Sequence, residues 1–401
     1  MNNQHGNDAI STFRSANYRS IVRDFQRFWA VYILGIILVL CGSSLLFWNE
    51  GRAIKTSRAL EEGLREITIP ETIESVFVEN NENLVFVGGH LAIRNSLHED
   101  TYGVSIHSVK LKKIVEVYQW KETEHKKKRK VRNSNGHHVT RVDKSYTYSK
   151  GWFDYHIDSA SFHRNYGHNN PPKSFLPAES RIETSNDVKI GGFVFGPSLK
   201  NLMTNFKPLS SEELPVSAWV WVKLHDGMYY HTKNLRDPEI GEYRVQLLYA
   251  GREGEAFTVV GKQSGQDLVP YHTRAGEELF ILRAGLKEAG EVFLTEHHQN
   301  RTWTWIYRLL GWLATFLGLC CLGALLEQLL DLLPSVRSVV TLGLTSLPFS
   351  VSISLTLTII GVGWSVYRPI VGLALLMMAL LPYMAPLSTL ILPDGRVDNR
   401  D

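Results

Sequence analysis

Four long apolar runs, set apart by polar sequence, organise this 401-residue chain. Phe28–Trp48 stands alone near the N-terminus. Three more crowd the C-terminus: Leu309–Leu326, Ser338–Tyr367 and, after Arg368, Pro369–Leu392. A helix needs about 20 apolar residues to cross about 30 Å of hydrocarbon, and each run meets that length. Lipid offers backbone groups no hydrogen-bond partner, so helices are the spanning form open to these runs. The pattern predicts spans over 28–48, 303–330, 339–366 and 369–392, tails at 1–27 and 393–401, and a polar domain at 49–302.

The first tail lacks an apolar periodicity and reads as disordered. The run after it is too long for the core of a cleavable signal, and no small-residue cleavage site follows. Leu40 before Cys41 does not suit lipid attachment, so an uncleaved anchor is expected. Trp29 and Tyr32 at one end, with Phe47 and Trp48 at the other, suit the aromatic belts of a bilayer. Four spans put both termini on one side of the membrane and the polar domain on the other. Arg14, Arg19, Arg23 and Arg27 lie closest to the first span, which favours cytoplasmic termini over the competing Arg52, Lys55 and Arg58.

Inside the polar domain, Asn49–Thr56 leads to a short amphipathic helix at Ser57–Leu64, and strand patterns follow. These are Ser75–Val78, then Asn83–Val87 closed by Gly88-Gly89, and a period-2 alternation over Lys113–Trp120. A return strand at Val142–Tyr148 predicts a long hairpin with its tip at Glu124–Thr140. Ile190–Phe195 reads as a strand entering a helix near Pro197. Val216–Leu224 with Trp219 and Trp221, Tyr243–Tyr249, Glu255–Lys262 and Glu277–Arg283 are further strands. Gly285–Gln299 is helical and runs on into the second span. Strands outnumber helices without regular alternation, so the expected class is α+β, with four transmembrane helices flanking a strand-rich domain.

Composition narrows the function. The mean hydropathy of −0.11 averages the apolar runs with the polar domain. A net charge of +3 is too small to imply a nucleic-acid partner. Cys41, Cys320 and Cys321 all fall in expected spans, so the domain holds neither a disulfide framework nor a thiol nucleophile. No nucleophile elbow, phosphate loop or dinucleotide fingerprint occurs. His156, His163 and His168, and the pairs His137-His138 and His297-His298, lack metal-ligand spacing. Glu61-Glu62 and Glu277-Glu278 read as surface residues. Lys126–Lys130 reads as a solvated hairpin tip, with an anionic headgroup as its residual partner. No span is expected to carry a buried acid or histidine for ion relay, which argues against a pump. No catalytic residue, cofactor site, metal site or small-molecule substrate emerges. The expectation is therefore non-enzymatic, against an alternative of a histidine/carboxylate enzyme or a lipid-binding, membrane-shaping module.

The spans carry one positive signal. Ser346, Ser350, Ser354 and Thr358 recur every fourth residue, and Ala314 with Gly318 forms a shorter instance. Small residues at that spacing let helix backbones approach closely. The same geometry serves packing within one chain or self-association of copies, and both stay open.

A set of short pieces in a fixed order then resembles the LUMA family. They are Asn49-Glu50-Gly51-Arg52-Ala53 with Lys55-Thr56, Glu62-Gly63-Leu64, Tyr102-Gly103-Val104 and Val109-Lys110-Leu111. Val115-Glu116-Val117-Tyr118-Gln119-Trp120 with Glu122-Thr123, Gly167-His168-Asn169-Asn170-Pro171, Tyr249-Ala250-Gly251 and Leu268-Val269-Pro270 follow. Gly363-Trp364 and Tyr367-Arg368-Pro369 close the series. The resemblance implies a four-span protein with its large domain in the endoplasmic reticulum lumen or perinuclear space. It implies an inner-nuclear-membrane scaffold that self-associates and is linked to lamins and emerin. In a bacterium the same topology would place the domain in the periplasm, without those partners. The family brings no catalytic residues.

Overall fold

A computed structural model of the chain describes residues 3–132, 138–175, 179–216, 219–331, 347–365 and 368–391. It has two compact units: residues 1–64, 273–277 and 290–401 form one, and residues 65–272 and 278–289 the other. The helices are α1 (Asn3–Glu66), α2 (Pro197–Leu202), α3 (Ala289–Asp331), α4 (Leu347–Ser365) and α5 (Pro369–Ile391).

The first unit is helical. Within α1, α3 and α4, the stretches Trp29–Glu66, Ala289–Gly323 and Pro348–Ser365 are long and apolar enough to cross a membrane, and Pro369–Leu381 is a shorter apolar stretch of α5. The expected disordered tail is instead helical from Asn3, and the expected connector at Asn49–Thr56 is helical as well. No proline interrupts residues 3–66, so a helix nucleated in the apolar run propagates at little cost in both directions. Residues 332–346, with Ser346 and the expected start of the third span, lie outside the described residues, as does the tail at 393–401.

α1 and α3 pack antiparallel through paired glycines. A Cβ on Gly318 would stand 2.7 Å from the Gly35 carbonyl oxygen, and one on Gly42 would stand 2.8 Å from that of Gly311. Gly35, Gly42 and Asn49 fall seven apart, as do Thr304, Gly311 and Gly318, so one face of each helix meets the other at heptad spacing. α4 and α5 form a hairpin in which Gly361 approaches the Gly372 carbonyl.

The second unit holds two main sheets. In the first, Leu84–Ile93, Val188–Ile190, Phe193–Val194, Asp267–Val269 and Ala256–Ser264 pair in that order, and the last returns to the first, closing a ring. Val85, Val87, Phe193, Val259 and Leu268 fill its core. Gly88-Gly89 does not end its strand, which runs on to Ile93. A Cβ on Gly89 would come within 2.8 Å of Ile190, so glycine here permits close packing. Ser75–Val78 is not a strand; its segment ends in a 3-10 turn.

The second sheet runs Val222–His225, Met228–His231, Tyr243–Arg252, Ser108–Arg132, His138–Phe153. The alternation at Lys113–Trp120 is realised: Lys113, Val115, Val117 and Gln119 are buried, and the residues between them are half-buried. Lys126–Arg132 continue the strand instead of forming a tip, with Lys127 opposite Asp143. Residues 133–137 lie outside the described residues. Of the expected strand at Val216–Leu224, residues 217–218 lie outside the described residues, the strand begins at Val222, and Trp219 and Trp221 are exposed before it. The fold class is α+β, with an N-terminal apolar helix, a strand-rich central segment and C-terminal apolar helices in chain order.

Candidate functional site

Each unit buries one glutamate against a cation among the described residues. In the helical unit it is Glu50, 1% exposed on α1. It follows the first apolar run by two residues, so sequence pattern alone reads it as connector. Helix continuity turns it inward. Arg308 of α3 grips it with two hydrogen bonds, Nε to Oε1 at 2.7 Å and Nη2 to Oε2 at 2.8 Å. Trp364 of α4 donates its indole N–H to Oε2 at 2.9 Å. A bidentate guanidinium pair is the strongest neutralisation a buried carboxylate can receive from one side chain. A Cβ on Gly363 would stand 3.1 Å from the Cβ of Glu50, so glycine lets α4 approach.

Two residues on, Arg52 donates to Asn300 Oδ1 at 3.1 Å, Asn49 Oδ1 at 3.2 Å and Thr304 Oγ1 at 3.2 Å. Asn49 donates to the Thr304 carbonyl at 3.1 Å, and Asn300 to the Ala53 carbonyl at 3.0 Å. Trp48 and Tyr307 flank the Arg52 guanidinium at 6.0 and 5.5 Å. The asparagine of the Asn300-Arg301-Thr302 sequon is thus engaged within the fold. The motif residues Asn49, Glu50, Arg52, Trp364 and Arg368, scattered over more than 300 positions of sequence, gather at one end of the helices. Gly51 has nothing within 4 Å of where a Cβ would be, and nothing in the structure explains it. Pro369 opens α5; Tyr367 lies outside the described residues.

This end opens into a cavity of about 660 Å³, with Arg58, Arg301, Arg308, Arg368, Trp305 and Trp364 in its lining. A second, shallower groove of about 420 Å³ lies between α1 and α4, lined by Ser43, Ser44, Phe47, Thr358, Ile359 and Val362.

The small-residue positions separate. Gly318 is buried against α1, and Ala314 is half-buried. Ser354 is buried, Ser350 half-buried, and Thr358 exposed with its hydroxyl donating to the Ser354 carbonyl.

In the strand-rich unit the buried carboxylate is Glu99, paired with Lys113 at 2.9 Å and Arg181 at 3.2 Å. Burial works to raise its pKa, but hydrogen bonds from Lys113 and Thr101 and the charges of Lys113 and Arg181 outweigh it and hold it below the usual carboxylate range. Beside it Tyr102 stacks on Tyr229 with centroids 4.2 Å apart and shares a hydrogen bond of 2.8 Å with His231. Burial, aided by the Lys113 ammonium, pushes His231 down to about 4. Burial alone raises Tyr229 to about 12. Apart from Tyr102, which stands in a motif piece, the sequence gives no spacing signal for this cluster.

The remaining motif residues fasten a loop. Buried Gln119 donates to the Tyr155 carbonyl and accepts from the Ile157 N–H; Asn170 hydrogen-bonds both backbone groups of Trp120. His168, beyond Gly167 with its positive φ, stacks on Tyr148 and meets Trp120 edge-on; His163 stacks on Tyr146. Tyr118 packs on Trp152, and Pro270 joins two strands. Among the described residues no three of His, Cys, Asp and Glu converge as metal ligands would.

The family model described as Transmembrane protein 43 matches residues 117–369. Transmembrane protein 43 of Pongo abelii is 36% identical over 362 residues, covering 88% of each chain. That of Homo sapiens is 36% identical over 359 residues, again 88% of each. The Drosophila melanogaster homolog is 34% identical over 376 residues, 91% of this chain and 96% of its own. No solved structure matches the chain.

Proposed function

This chain belongs to the transmembrane protein 43 family, an integral membrane family, and on that premise we propose that it is a non-enzymatic, multi-pass scaffold that self-associates through its apolar helices. The observation that supports this reading is the groove at Ser43, Ser44 and Thr358. Hydroxyls and small side chains on an exposed apolar helix surface give lipid tails little to pack against. They give a helix of a second copy a close approach and hydrogen-bond partners. In an animal cell the segment between α1 and α3 would occupy the endoplasmic reticulum lumen or perinuclear space, with both termini cytoplasmic. Self-associated copies would then organise partners at the inner nuclear membrane, lamins and emerin being those the family suggests. In a bacterium the scaffold would serve the inner membrane.

Oxidative crosslinking in native membranes tests the reading. A Ser44→Cys variant with its three natural cysteines replaced should form dimers, and adding Thr358→Trp should abolish them. A chain that stays monomeric by crosslinking and by light scattering in mild detergent would sink the proposal. A reaction catalysed at His163 or His168 would instead favour the enzyme alternative.

A further inference from the structure

The cavity above the Glu50–Arg308 pair has a composition that scaffolding does not require, and we propose that it binds the phosphate group of an anionic phospholipid. Four arginines, Arg58, Arg301, Arg308 and Arg368, line it against a single carboxylate, Glu61. Arg308 already answers to Glu50. Arg368 sits over the Trp364 ring at 5.9 Å, and neither it nor Arg301 makes an ion pair with a carboxylate among the described residues. Elsewhere, partly exposed cations such as Lys144, Lys207 and Arg252 each have a glutamate partner. Within this cavity the arginines outnumber the carboxylates four to one.

Depth and shape name the ligand class. Tryptophans at the ends of spans sit at headgroup level, and Trp305 and Trp364 are in the lining. Guanidinium groups match phosphate oxygens in a planar, two-point geometry that ammonium groups lack. A volume of about 660 Å³ is in the range of small-molecule sites, and a glycerophosphate with its substituent fits such a space. Next along α3, Leu309 and Leu313 are exposed apolar side chains on which acyl chains can lie. A headgroup phosphate held between Arg301, on α3, and Arg368, at the start of α5, would neutralise both. The proposal rests on this cavity and not on self-association.

The test uses the full chain in neutral detergent, with thermal protection by dioctanoyl phosphatidic acid, dioctanoyl phosphatidylcholine and inorganic phosphate compared. Phosphatidic acid should protect and phosphatidylcholine should not. The double variant Arg301→Gln/Arg368→Gln should lose affinity by about tenfold or more, as expected for two charge-assisted contacts, while melting unchanged without lipid. Serine in place of Lys126, Lys127, Lys128 and Arg129 should leave protection intact. Protection by inorganic phosphate equal to that by phosphatidic acid, and lost in the double variant, keeps the phosphate site and assigns it a soluble ligand. Three results overturn the proposal: no protection by any probe, equal protection by phosphatidylcholine, or equal protection of wild type and double variant.

Discussion

The two buried glutamates solve one problem in different ways. Glu99 and Lys113 are 14 residues apart, and Arg181 reaches the same carboxylate from a side chain that is 55% exposed. A short chain segment helps to hold that buried pair, and only Arg181 reaches water. Glu50 draws its partners from 258 and 314 residues away, on two other helices, and is almost wholly enclosed. Sheets already fix register through backbone ladders, so the Glu99 cluster adjusts a neighbourhood. Helices in lipid share no backbone bonds and gain nothing from burying one apolar surface against another. There a polar tie selects which helix end meets which. Glu50 accordingly sets α1 parallel to α4 and antiparallel to α3.

That contrast can be broken most severely at Glu50. Glu50→Leu strands Arg308 without its countercharge and should cost about 3–5 kcal/mol, read as a fall in melting temperature in detergent or nanodiscs. A variant that melts like wild type would remove the tie from the account. Gly318→Val comes next. Its side chain has no room before the Gly35 carbonyl, and overpacking of this kind costs about 1–3 kcal/mol; limited proteolysis of α1 against α3 should detect the loosening, and unaltered protection would contradict the glycine register. Glu99→Gln should cost less than Glu50→Leu, about 1–2 kcal/mol, because a neutral acceptor remains and Arg181 can turn to solvent. Equal losses at the two sites would erase the comparison.

Acid sharpens the comparison with the smallest effect. His231 is held neutral in the folded domain down to about pH 4, whereas its ordinary value is 6.5. Between those values the unfolded chain binds a proton that the folded chain refuses, so stability falls as pH drops from about 6.5 to about 4 and is complete above 6.5. Glu99, with its lowered pKa, adds a loss further down, as pH falls through the carboxylate range. Chemical denaturation of the whole protein at pH 7 and pH 5 should show the domain transition move, and His231→Phe should flatten that shift. A shift unchanged by His231→Phe would assign the acid sensitivity to other groups.

How much of this the sequence reveals depends on whether a feature is local. Apolar runs of spanning length and the period-2 alternation at Lys113–Trp120 carry their own signal, and both are found. The alternation at Trp219 and Trp221 carries the same signal without a strand there, since among the described residues of that segment pairing begins at Val222. Glu50 stands in a family motif, but its burial has no such sign, because the apolar run stops at Trp48 and a polar residue just beyond it reads as connector. A signal was there to find: Gly35, Gly42 and Asn49 keep a seven-residue period across that boundary, which a connector would not need. The partners Arg308 and Trp364 could not be matched to Glu50 from sequence, because only packing chooses among distant polar residues. The Glu99 cluster has no spacing signal of its own, as its members come from five separate strand or turn segments.

A double-mutant cycle on Glu50→Leu and Arg308→Met, measured as unfolding free energy in nanodiscs, reaches the central claim most directly. The account predicts that the second substitution recovers much of what the first loses, with a coupling of about 2 kcal/mol or more. Additive losses, with no coupling between the two positions, would contradict it.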